Sequence, residues 1–246
     1  MNDLTNKGSN AVRIALPILL LVPLAVLLYR YRLIDFPFVL VLLALSFFGS
    51  LALFACCGIA LINPNKNCPF NANMKKTLFL SAIVPVTLIL TGCYFATMVS
   101  APVIHDITTD TVDVPKFRAA IELRGSDSNS LTVKPSVIAE QVGAYPSIQT
   151  ITSSLEPAKA LALAVATAEQ LGWTVHFIDR ENGMIEAYET TKLWRFVDDV
   201  VIRVKAVGEL THVDLRSVSR VGSGDLGANA KRIQRFTELF SQQSQR

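Results

Sequence analysis

The sequence predicts an α+β fold: a small domain with an antiparallel sheet and two helices on one face, following three transmembrane helices. Three patterns carry that prediction. Long uncharged apolar runs fill most of residues 1–104, apolar and polar residues alternate at period two across residues 173–219, and stripes at helical spacing lie on either side of that alternation. The expected division is a membrane domain over residues 1–103 and a folded domain over residues 104–246.

The apolar runs are Ile14–Tyr29, Phe36–Ile62 and Thr77–Ile104. A bilayer core takes about 20 apolar residues as helix, which the second and third runs exceed. The first is short, contains Pro17 and Pro23, and is closed by Arg13 and Arg30. Long arginine stems can carry their charge to the interface, and prolines are tolerated in membrane helices, so a span is expected there too. Lys7, Arg13, Lys66, Lys75 and Lys76 fall on one side of such a bundle, Arg30 and Arg32 on the other. Positive loops stay in the cytoplasm. The expected location is therefore a bacterial inner membrane, with the N-terminus cytoplasmic and the C-terminal domain periplasmic.

The segment Met74–Cys93 can also be read as a lipoprotein signal, with basic Lys75-Lys76, an apolar core and Leu-Thr-Gly-Cys at its end. Processing there, from a start at Met74, would place a lipid on Cys93. The residues after Cys93 stay apolar, where a lipoprotein turns polar, so an uncleaved span is preferred and lipidation is the alternative.

Charge separates the halves. Residues 1–104 hold 7 Lys/Arg against 2 Asp/Glu, and residues 105–246 hold 16 against 18. A slightly acidic domain is a poor nucleic-acid binder. All four cysteines, Cys56, Cys57, Cys68 and Cys93, lie in the membrane half. The domain thus has no thiol for a disulfide or a thiolate metal site.

In chain order, Pro102 ends the third run, and residues 111–144, with Pro115, Pro135 and Gly125–Ser130, predict an extended, loop-rich connection. Residues 147–152 predict a strand. Ser154 then caps a helix with Glu156 and Pro157 in its first turn and a stripe of Ala158, Leu161, Ala162 and Val165, closed by Gly172. Residues 173–178 and 184–191 predict strands joined by a turn. Residues 200–206 and 211–219 predict a hairpin about Gly208-Glu209, glycine first as a type II′ turn requires. That register sets Val204 opposite Val213, Ile202 opposite Leu215, Arg203 opposite Asp214 and Val201 opposite Arg216. One face is apolar; the other carries Asp199, Arg203, Lys205, His212, Asp214 and Arg216, which predicts a sheet packed on one side only. A last helix spans about residues 225–240, with Leu226, Ile233, Phe236 or Thr237, and Phe240 buried.

Ile104–Asp110, Tyr145-Pro146, Gly172-Trp173, Phe196–Arg203 and Asp214–Ile233 together resemble the domain of unknown function 1499 family. The resemblance covers residues 103–241. It implies a shared fold boundary and frequent N-terminal spans, and no established activity. One departure is Val114-Pro115, where relatives often carry a Pro-Pro pair.

The candidate ligand-binding residues cluster at the strand-to-helix corner: Asp198, Arg216, Ser217, Ser219, Arg220, Asp225, Asn229 and Arg232, with His105 nearby in sequence pattern. Arginines, a Gly222-Ser-Gly224 corner and a helix N-terminus favour an anionic ligand. The structural alternative is a salt-bridge network in which Asp199 and Asp214 neutralise the arginines and Asp225 caps the helix. Asp198 and Asp199, adjacent on a strand, point to opposite faces and make no dyad. No phosphate loop, nucleophile elbow or metal-ligand set is present, so no catalytic residue, metal or cofactor is implied. The expected role is non-enzymatic binding or scaffolding at the cell envelope. Expected partners are the lipid bilayer, an anionic small molecule or lipid head group, and another membrane protein. The alternative is an envelope enzyme acting on lipid or cell-wall material, with Asp198 as acid, Arg216 as anion clamp and His105 as base.

Overall fold

The computed structural model describes residues 4–62, 72–96 and 101–245. The chain divides into two compact units, Met1–Thr97 and Met98–Arg246.

The first unit packs α1 (Leu4–Arg30), α2 (Phe36–Ile62) and α3 (Ala72–Ala96) against one another. Against an expectation of three spans, two stretches among the described residues are long and apolar enough to cross a membrane, Phe36–Ile59 and Lys76–Cys93. The apolar stretch of α1, Ile14–Arg30, is shorter. Lys66 and residues 97–100, used in reading the loops and the third run, lie outside the described residues. The bundle is built with small and polar side chains inside: Ala15, Ala25, Ser46, Ser50, Thr77 and Ser81 are buried, while Leu20, Leu40, Phe48 and Ile89 face outward. Ser46 Oγ donates to the Ile18 carbonyl at 2.7 Å, and Gly49 lies beside the Ile18 side chain. Close approach through small residues and hydroxyls is how helices associate when the surroundings are apolar. Cys93 is exposed.

The second unit orders β1 (Asp106–Thr108), α4 (Ala120–Leu123), α5 (Pro135–Ala144), β2 (Ile151–Ser153), α6 (Pro157–Gln170), β3 (Thr174–Asp179), β4 (Met184–Thr190), β5 (Val197–Val207), β6 (Leu210–Ser219) and α7 (Ala228–Ser244). The six strands form one antiparallel sheet in the order β1-β6-β5-β4-β3, with β2 also paired to β6. β1 and β2 share an edge of β6 end to end, on Arg216–Val218 and Thr211–Val213. The β5–β6 register matches the expected pairs at all four positions. Gly208, with φ +63°, takes the positive φ that the first loop position of a type II′ turn demands.

The apolar face of the sheet, with Val200, Ile202, Val204, Val213 and Leu215, packs against α6 and α7. Trp173 and Phe236 stack at 5.6 Å, and Phe236 and Phe240 at 5.8 Å. On α6 the buried face is Ala160, Leu161, Ala164, Thr167 and Ala168. It is rotated from the expected stripe, because Ala158 and Ala162 instead line a small surface groove with Ile178 and Arg180. The N-cap is Glu156, with no side-chain bond, rather than Ser154; Pro157 at the first turn needs no donor there. Gly172, at φ +81°, sits just past the helix end as expected.

Four further expectations are corrected. Residues 111–144 contain α4 and a ten-residue α5, since Pro135 opens a helix rather than breaking one. The strand expected from residue 147 begins at Ile151. α7 begins at Ala228, not Asp225, and Leu226 is exposed at φ +53° rather than buried. Ile104, taken as the end of the third apolar run, is 2% exposed within the core of this second unit.

The largest correction concerns the charged face. It is covered, not open: Asp199, Asp214 and Arg216 are buried, and a second apolar cluster of Phe117, Ala120, Met184, Val201 and Val218 lies over it with Leu131. The sheet is thus packed on both faces, on one by helices and on the other by residues 111–134.

Candidate functional site

The sheet divides the sequence-derived candidates into two polar networks. On the helix-covered face, Asp198 stands across from Ser219, and the next even position on β5, Val200, stands across from Ser217. Into this end of the core α7 projects Asn229 and Arg232. Asn229 is fully buried and fully bonded: Ser217 Oγ donates to its Oδ1 at 2.6 Å, Arg232 Nη1 donates to the same oxygen, and its Nδ2 donates to the His105 carbonyl and Ser219 Oγ at 3.0 and 2.9 Å. Arg232 is anchored by Asp198 through Nη2 and by Glu189 through Nε, both at 2.6 Å. Buried polar groups satisfied this completely fix geometry, tying β1, β4, β5 and β6 to α7.

Asp225 serves the same helix start. Its Oδ1 accepts the Gly227 amide at 2.8 Å and its Oδ2 the Asn229 amide at 2.7 Å, so it caps α7 from outside the helix. Burial pushes the Asp225 carboxyl above its ordinary value against the pull of those amides. The Tyr145 hydroxyl is buried beside this turn without a hydrogen-bond partner among the described residues, 3.2 Å from where a Cβ on Gly227 would stand. His105 contributes its carbonyl to Ser219 N and Asn229, while its Nδ1 lies 3.2 Å from the Ser223 carbonyl.

Arg216 and Arg220 belong to the other face. Arg216 grips both oxygens of Asp106, Nε at 2.9 Å and Nη2 at 2.7 Å, and reaches the Leu131 carbonyl at 2.8 Å. Arg220 binds both oxygens of Asp199, which also accepts from Arg124. Glu186, fully buried, takes the backbone amides of Arg118, Ala119 and Ala120 at 2.5, 3.1 and 2.7 Å. Farther along, Arg203 joins Asp110, Asp113 and Asp214.

Arg216 and Arg232 are therefore not parts of one anion cradle, and Asp198 and Arg216 lie on opposite sides of the sheet. Acid, clamp and base as drawn from Asp198, Arg216 and His105 do not meet on one substrate. Arg124, Asn129, Glu186 and Gln141 escaped the sequence reading because each acts on a partner distant in the chain, and the role of Asp106 as the partner of Arg216 escaped it too. Gln141, for example, pins Thr108 from both its N–H and its carbonyl, at 2.9 and 2.6 Å. The Ile104–Asp110 motif was the available signal for Asp106.

A groove of about 660 Å³ opens on the charged face between residues 116–125 and 128–133, with Arg216 at its floor. No group of three or more His, Cys, Asp or Glu side chains suited to a metal ion occurs among the described residues.

These features define a two-sided antiparallel α+β domain on a chain with two stretches long and apolar enough to cross a membrane among the described residues. Residues 106–240 match the family model described as "Protein of unknown function (DUF1499)", and the chain belongs to that family. No curated protein matched the chain.

Proposed function

We propose that the chain is an inner-membrane protein whose C-terminal domain binds or scaffolds at the periplasmic side of the cell envelope, without catalysing a reaction. The observation that carries this reading is how the domain's acids are engaged. Asp198, Asp199 and Glu186, all buried, and the partly buried Asp106 each accept hydrogen bonds from arginines or backbone amides, the arrangement of a structural network. Among the described residues two stretches are long and apolar enough to cross, and a cytoplasmic N-terminus with a periplasmic domain requires the shorter α1 to cross as well. That arrangement is in keeping with the positive charge of the N-terminal side and second loop. The inside-out burial of the helical unit supports a bilayer as its surroundings. Partners in keeping with this placement are the bilayer, an anionic small molecule or lipid head group, and a second membrane protein.

Two measurements test the proposal. Alkaline phosphatase fused after Arg246 should be active and a fluorescent protein fused there dark; the reverse pattern rejects the periplasmic placement. Native mass spectrometry of the full chain purified from envelopes should show a discrete bound mass or a stoichiometric partner. A bare chain that consumes a component of an envelope extract would reject binding in favour of catalysis.

A further inference from the structure

We infer that the groove on the charged face of the sheet binds a free single-chain amphiphile, an anionic carboxylate or phosphate head carrying an alkyl tail. The inference rests on the binding role proposed above and names its site and ligand chemistry. At about 660 Å³ the groove falls in the size range of small-molecule sites. Its lining includes three cations, Lys116, Arg124 and Arg216, and no Asp or Glu. The rest of its wall is mainly apolar, from Phe117, Ile121, Leu131 and Val133.

The cations at its floor are incompletely neutralised. Arg124 and Arg216, which line the groove, and Arg220, which does not, share two carboxylates, Asp106 and Asp199. Glu186, the next carboxylate on this face, is engaged by three backbone amides. Lys116 is exposed and forms no salt bridge among the described residues. Arg216, 1% exposed, lines the groove, and its Nη1 has two N–H groups but a single acceptor, the Pro115 carbonyl at a long 3.4 Å. Burial and then like charge from Arg220 and Arg216 act against the Arg124 cation, which its pairing with Asp199 opposes. An anionic head at this floor would relieve that crowding through charge-assisted hydrogen bonds. A bare anion would leave the apolar wall wet, and a neutral hydrocarbon would leave the arginines without an added acceptor. Only a molecule with both parts answers both.

The test uses the full chain held in amphipol. Isothermal titration compares dodecanoate and dodecyl phosphate, below their micelle concentrations, with dodecanol, inorganic phosphate and dihexanoyl phosphatidylglycerol. Both anionic single-chain probes should saturate one site, with dodecanol and inorganic phosphate at least roughly tenfold weaker. Lys116→Glu and Ile121→Glu replace exposed side chains, so the fold should persist, as an unchanged urea midpoint would show. Each should weaken dodecanoate roughly tenfold, by reversing one groove charge or by placing a charge on the apolar wall. Equal affinity for dodecanol overturns the role of the cations, and equal affinity for inorganic phosphate overturns that of the wall. Tighter binding of dihexanoyl phosphatidylglycerol overturns the free single-chain ligand in favour of bilayer lipid. Variants that bind as the parent does, or no saturable binding, overturn the groove itself. If the envelope-purified chain still carries a discrete mass in that last case, the groove fails while the binding role stands.

Discussion

Arg216 and Asp106, 110 positions apart in the chain, form a bidentate ion pair across adjacent strands. The arginine is 1% exposed, so its charge has no solvent to fall back on. Removing only one member of a buried pair leaves an uncompensated ion. Asp106→Ala is therefore expected to cost about 3–5 kcal/mol, and Asp106→Leu with Arg216→Met to recover most of it. Urea denaturation of the full chain checks this. Equal losses in the single and double variants would refute the account.

Glu186 anchors the cover over the charged face by collecting three successive amides at the start of α4. Glu186→Ala should destabilise by about 2–3 kcal/mol, the range for stranding buried donors of a charged acceptor. Glu186→Gln, which keeps an acceptor oxygen, should cost less. Amide exchange should rise across residues 111–134 and stay unchanged in α6 and α7. Uniform acceleration through the domain would argue against a local anchor.

Two turn glycines should respond differently to alanine. At Gly183, φ +64°, a Cβ would stand 2.1 Å from the Val204 carbonyl oxygen, whereas at Gly208, φ +63°, nothing lies within 4 Å. Gly208→Ala then carries only the left-handed backbone penalty, about 1–2 kcal/mol. Gly183→Ala must also displace β5 and should lose clearly more. Melting temperatures of the two variants decide the order.

Acid should loosen the wrap around Asp110. Burial alone would raise this carboxyl, but the Asp113 and Val112 amides and Arg203 outweigh burial and hold it below 3.8. The unfolded chain thus takes up the proton first. The contribution is fully present above about pH 4 and is lost as pH falls through the lowered native value. Asp110→Asn should flatten the stability profile in that acid window and change little of its shape at neutral pH. An unchanged acid limb would count against the assignment.

Legibility in the sequence followed the distance over which each constraint acts. The β5–β6 register could be read to the residue because a two-residue loop with Gly208 leaves little freedom. Part of the buried face of α7 was also legible, since Ile233, Phe236 and Phe240 repeat at helical spacing. The cover of the second face was not. It hangs on a few apolar side chains, Phe117, Ala120 and Leu131, and on acids meeting arginines many residues away. Alternating charge on a strand looks like solvent exposure until its partners are known. The same blindness merged Arg216 and Arg232 into one corner, although β6 shows one to each side through its partners.

The placement of β1 sets the timing of the domain's birth. β1 is the first strand of its unit to be synthesised, yet its partner β6 follows about a hundred residues later, with Asp106 paired to Val218. At ~5–20 residues per second, the ribosome needs on the order of ten seconds to deliver that partner. Until then the growing chain exposes an unpaired strand and an acid awaiting its arginine. A product broken off before β6 would lack the seat for both β1 and β2, and would present proteases with an open sheet.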